Sequence, residues 1–156
     1  MTIQNQLTEN FFPAIWNILH DGVIVAVEGT VPGSLWIDIE IDYLRKRFAD
    51  PGTLIQVHLM GCTRFAFKEY EKSDFSTGLT EIAATRPVMV SASIKDGVCE
   101  VDCTVGTLEV VAGDGAMRLD NGREVTLQEF KEVAEGYWKE WKEHWERVRR
   151  KEDTDK

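Results

Sequence analysis

The chain has 156 residues, 43% hydrophobic and 29% charged, with a formal net charge of −9, a composition that fits one globular domain and excludes a disordered chain. No run approaches the roughly 20 apolar residues of a membrane span, and Met1-Thr2-Ile3-Gln4-Asn5-Gln6 lacks the basic and then apolar segments of a secretion signal. A cytoplasmic protein is expected, one that does not cross a membrane and whose acidity disfavours nucleic acid.

The acidity is uneven. Residues 1–125 carry 10 Lys and Arg against 18 Asp and Glu, whereas residues 126–156 carry 8 against 9. One domain over residues 1–150 is expected, with Met1 to Gln6 frayed and residues 151–156 a disordered charged tail.

The first element is a short helix over Asn10 to Leu19, with Asn10 as cap and Pro13 in its first turn. Phe12, Ile15, Trp16 and Leu19 form its apolar stripe. Gly22, in His20-Asp21-Gly22, is the residue expected to take the left-handed backbone at the helix end.

Short alternating runs separated by turns then mark an antiparallel sheet from Val23 to Val125. In Leu35 to Asp42 the odd positions are aliphatic, and Asp38, Glu40 and Asp42 point the other way. Arg45-Lys46-Arg47 reads as a solvated turn. In residues 54–68, Ile55, Val57, Leu59, Phe65 and Phe67 share odd parity, so one long strand bulged at Gly61 keeps them on one face. His58, Cys62, Arg64 and Lys68 then fall on the other.

Ser76 to Thr85 predicts a short helix with Leu79 and Ile82 buried, stopped before Pro87. Strands follow over Val88–Ile94, Val98–Val105, Thr107–Ala112 and Ala116–Leu119. Asp96-Gly97 is a two-residue hairpin signal, and Asp120-Asn121-Gly122 another turn. Cys99, Val101, Cys103 and Val105 face inward, with Glu100 and Asp102 outward.

Thr126-Leu127-Gln128-Glu129 is a capping box that opens a long amphipathic helix to about Arg150, about 36 Å long. Leu127, Phe130, Ala134, Tyr137, Trp141, Trp145 and Val148 recur at spacings of three and four, and Trp138 lies beside that stripe. The fold class is therefore α+β: a meander-like antiparallel sheet of about six to eight strands, with the two terminal helices packed on one face and the acids on the other.

Chemistry-bearing spacings are few. Cys99 and Cys103, four apart in one strand, have Cα atoms roughly 13 Å apart, too far to bridge or to share a metal. Reduced, buried thiols are expected for all three cysteines. No phosphate loop, GxSxG or HExxH occurs, and no cofactor or metal is expected.

Two readings follow. In the first the protein is a non-catalytic module that binds a protein partner, a basic one through Asp38, Glu40, Asp42, Glu100 and Asp102, or a partner held by Trp138, Trp141 and Trp145. The same tryptophans could pair two copies as a homodimer through the C-terminal helix. In the second it is an enzyme or small-ligand carrier whose pocket, between sheet and helix, uses His58, Cys62, Arg64 and Glu40.

Overall fold

The structure, a computed structural model, describes residue 12 and residues 14–154, with the side chains of 153 and 154 excepted. The expected cap Asn10, Pro13 and the frayed amino-terminal segment lie outside the described residues. Helix α1 covers residues 14–18 and buries Ile15 and Trp16, with Leu19 beneath the turn that follows. Asp21 takes the left-handed backbone there, with φ 71°, rather than Gly22. Gly22 is small for a different reason: a Cβ would stand 2.8 Å from the Leu19 carbonyl oxygen.

Among the described residues nine strands build two antiparallel sheets. Strands β1 (Val23–Gly29), β2 (Gly33–Glu40), β3 (Leu54–Cys62), β8 (Asp114–Leu119) and β9 (Glu124–Val125) form one, in that spatial order. The other has the order β4 (Arg64–Glu69), β7 (Gly106–Val111), β6 (Val98–Cys103), β5 (Met89–Lys95). Short helices α2 (Asp42–Arg45) and α3 (Leu79–Ala84) sit in the connections, and α4 runs over Leu127–Thr154. The helix thus continues into the segment expected to be a disordered tail.

The two sheets share strands. The long strand read over residues 54–68 exists, but it bends at Gly61, with φ 60°, and passes from the first sheet as β3 into the second as β4. Its neighbour bends with it: β8 pairs β3, β7 pairs β4, and the Gly113 N–H reaches the Met60 carbonyl at 2.9 Å at the corner. Val23 of β1 bridges Val88, next to β5, so the pairings run from β1 around through both sheets and back to β1. Sheets that exchange strands at bulged corners pack orthogonally around a single core.

That core is one cluster. Ile55, Val57, Leu59, Phe65 and Phe67 all lie in it, as their shared parity requires. Cys62 lies in it too, against its parity, because the turn at Gly61 rotates the chain by one position before β4 begins. Removing Leu, Ile and Phe side chains of this kind from water stabilises the fold by about 1.5–3 kcal/mol each.

The basic island is the largest departure from expectation. Arg45 is not solvated but 1% exposed, and each of its three guanidinium nitrogens has a partner. Nη1 donates to the Asp50 carbonyl at 2.7 Å, Nη2 to the Pro51 carbonyl at 3.1 Å, and Nε to the Leu54 carbonyl at 3.1 Å. Nε and Nη2 also meet Asp120 Oδ1, at 3.1 and 2.8 Å. Four carbonyl and carboxylate groups arranged around one guanidinium make its burial affordable.

Helix α4 opens as half a capping box. The Glu129 N–H donates to Thr126 Oγ1 at 3.1 Å, but the Glu129 carboxylate accepts from Arg123 at 2.9 Å instead of reaching back. Phe130 and Ala134 are buried against the body, and Phe48 meets Phe130 with ring centroids 6.0 Å apart.

Candidate functional site

The five carboxylates read as one acidic face stand in three places. Asp38 and Glu40 are on β2 in the five-stranded sheet, Asp42 is in the first turn of α2, and Glu100 and Asp102 are on β6 in the other sheet. Strands β2 and β6 are not neighbours. Glu40 is 3.8 Å from the Arg86 guanidinium, Glu100 lies opposite Glu109, and Asp102 accepts from Ser91 at 3.5 Å.

The residues of the enzyme reading separate as well. Cys62 is fully buried, and burial pushes its thiol pKa up, with a smaller opposing pull from the Arg64 backbone. Arg64 lies on the other sheet, where it donates to Glu109 from Nη2 at 2.6 Å and from Nε at 2.9 Å. His58 pairs with Trp36, and Glu40 is four residues from Trp36 along the same strand, about 13 Å away.

His58 nevertheless belongs to an ordered cluster. On the outer face of the five-stranded sheet its ring lies on Trp36, with centroids 4.1 Å apart and planes 4° from parallel. Arg118 of β8 places its guanidinium carbon 3.7 Å from the Trp36 ring centroid. Two groups so close to one indole require its two faces. Arg118 Nε donates to Gln56 at 2.6 Å, and the Gln56 amide donates to Asp38 at 2.8 Å. Aromatic, guanidinium, amide and carboxylate thus form one network across β2, β3 and β8. The signal for it in the sequence is that Trp36 shares the outward parity of Asp38.

The second cluster begins at the turn after α1 and runs out along α4. Trp138 stacks on His20, with centroids 5.1 Å apart and planes 16° from parallel, and meets Tyr43 edge-on at 6.0 Å. Tyr43 donates to the His20 carbonyl at 2.8 Å. Burial, then the charge of Asp21 and the neighbouring Tyr137, raises the Tyr43 pKa, so its hydroxyl remains a donor at every physiological pH. Arg47 holds Glu140 at 2.8 Å.

Beyond that contact the helix leaves the body. From Lys139 to Glu152 no side chain of α4 is buried. Trp141 and Trp145 are 48% and 44% exposed, yet the rings continue in edge contact from Trp138 to Trp141 at 5.8 Å and on to Trp145 at 5.9 Å. This segment is basic, with six Lys and Arg against four Glu, in a chain whose totals are 18 against 27. Beside its root, between α1 and α4, lies an open apolar groove of about 510 Å³ lined by Asn17, Ile18, His20, Lys131, Ala134, Glu135 and Trp138.

The tryptophans singled out from sequence therefore sit together, whereas the acids and the His58, Cys62 and Arg64 trio do not. His20, Tyr43 and Arg47, which fix the root of α4, carry no spacing signal, because their contacts with the helix cross some 90 or more residues of chain. Among the described residues no helix is long and apolar enough to cross a membrane, and no group of three His, Cys, Asp or Glu side chains is placed to hold a metal ion. No family model, curated protein or solved structure matches the chain.

Proposed function

We propose that this protein works by binding another protein chain, and that the contact element is the part of α4 beyond Trp138. One observation carries the reading: the apolar stripe that is buried at Phe130 and Ala134 continues into Trp141 and Trp145, which are about half exposed. A tryptophan exposes far more apolar surface than solubility tolerates, and contact surfaces are enriched in Trp and Arg at the positions that dominate binding. The body anchors the root of this helix through His20, Tyr43 and Arg47, so its free half is presented in a fixed direction.

The acidic-face version has less support, since its carboxylates stand in three separate places in the fold. A photo-crosslinking amino acid placed at position 145 in cells tests the proposal, with position 96, in the β5–β6 turn, as control. A covalent adduct of one defined mass is expected from 145 and none from 96. Equal adducts at both positions, or none at either, would contradict it.

A further inference from the structure

Resting on that reading, we infer that the partner of α4 is a second copy of this chain, with the two helices packed antiparallel and the end of each seated in the other's groove between α1 and α4. Ala134, Trp138, Trp141, Trp145 and Val148 recur at intervals of four, three, four and three, which is the seam of a two-helix packing. This seam shares Ala134 with the stripe that meets the body and turns from it toward Trp138, which rests on His20, so it borders the groove, whose wall includes Ala134, Glu135 and Trp138.

Antiparallel pairing of that seam with itself has two registers that keep apolar positions in layers, and the one centred between Trp141 and Trp145 is the one that seats the helix end, rather than its middle, in the groove. Trp141 then faces Trp145 of the second copy, twice by symmetry, and Trp138 faces its Val148. The flanking positions follow from the same geometry. Glu135 of each copy comes beside Arg149 of the other, and Lys131 comes within reach of Glu152. Glu135 and Lys131 are the two charged residues on the groove wall, so a helix end that carries Arg149 and Glu152 matches the groove in both signs. Charge in the chain points the same way, since the free segment is its basic part and the rest is acidic.

Such a contact is isologous: each copy offers the same helix and the same groove, and the assembly closes at two. It also buries the two exposed indoles against each other. One cost is visible, because Lys142 of the two copies meets near the two-fold axis; long lysine stems can turn apart into solvent there.

A charge exchange tests the register. Glu135→Arg places like charges at both flanks of the pair, and so does Arg149→Glu. Each variant alone is expected to dimerise about tenfold or more weakly than wild type. Mixed together they restore opposite charges at both flanks, so native mass spectrometry should show the heterodimer as the dominant dimer. Glu135→Gln and Arg149→Gln, which remove charge without reversing it, should weaken dimers with no recovery on mixing. Circular dichroism melts on each variant establish that the fold is intact.

A wild-type protein that stays monomeric overturns the self-pairing, and an adduct from position 145 with a chain of different mass would then keep the protein-binding reading alive. A wild-type dimer indifferent to both charge reversals overturns it too, because the copies would meet elsewhere. Loss of both the dimer and the crosslink removes both proposals together.

Discussion

Arg45 and Asp120, 75 residues apart, meet through two donors on one oxygen: Nε and Nη2 lie 3.1 and 2.8 Å from Asp120 Oδ1, with the Arg45 side chain 1% exposed. The other carboxylate oxygen accepts the backbone N–H of Thr53 at 2.8 Å and of Leu54 at 3.1 Å. One ion pair thereby fixes α2, the segment leading into β3 and the β8–β9 turn. Arg45→Ala should lower unfolding free energy by about 3–5 kcal/mol, since it strips a partly buried carboxylate of its partner. Urea unfolding of the variant measures this, and a loss below 1 kcal/mol would show that the clamp is not structural.

The same pair sets an acid limit. Burial alone would raise the Asp120 pKa, but the Thr53 N–H, the Arg45 guanidinium and the Leu54 N–H outweigh it and hold the carboxyl at about 2. A folded-state value below the unfolded one, about 3.9, means the stabilisation is complete above the unfolded pKa and is lost as pH falls toward 2. The stability gap between wild type and Asp120→Asn should therefore be constant above about pH 5 and shrink between pH 4 and pH 2. Denaturant midpoints across that range decide it.

Gly52 approaches this pair closely, because a Cβ there would fall on Arg45 Nη2 and Asp120 Oδ1. Gly52→Ala is expected to destabilise by roughly 1–3 kcal/mol. Gly97→Ala is the comparison for space, since a Cβ there meets nothing within 4 Å, although its φ of 80° leaves that site with a backbone cost of its own. If Gly52→Ala matches wild type in thermal unfolding, the close approach is relieved by movement.

Thiol chemistry should be silent in the native protein. Burial, then the neighbouring carboxylates Glu100 and Asp102 respectively, pushes Cys99 and Cys103 up to about 12, and Cys62 is raised by burial as well. A disulfide-exchange reagent at pH 8 should titrate no thiol in the folded chain and all three in urea. Rapid modification of any one in the folded protein would show that the core opens there.

Trp36 holds a guanidinium and an imidazole on its two faces. Arg118→Ala removes the first and leaves Gln56 without its donor, and should lower stability by about 0.5–2 kcal/mol. Arg118→Lys, which keeps the charge but loses the planar stack, should recover less than half of that. Full recovery by lysine would mean that charge alone matters at this position.

Much of the strand pattern was legible because parity is a local signal. The five apolar residues from Ile55 to Phe67 are all buried, and Asp96 and Gly97 take φ 52° and 80°, the paired left-handed geometry of a tight hairpin turn. The division into two sheets was not legible: alternation continues across a corner, and nothing between Leu54 and Glu69 says that the partner strand changes from β8 to β7 at Gly61. Arg45 was misread as solvated because its burial depends on carbonyls five to nine residues on and on Asp120 much further along. The tryptophans of α4 stood out by type and spacing, while which of them the body covers depended on His20 and Tyr43.

The most direct test of the account is radical footprinting of Trp141 and Trp145, compared between the protein in its cells and the purified chain at high dilution. If α4 is a contact element, both indoles should be protected in the cell and modified in the dilute chain, with Trp16, buried in the core, protected in both. Equal modification of Trp141 and Trp145 in the two settings would mean that the exposed stripe meets no partner, and the function proposed for α4 would fall.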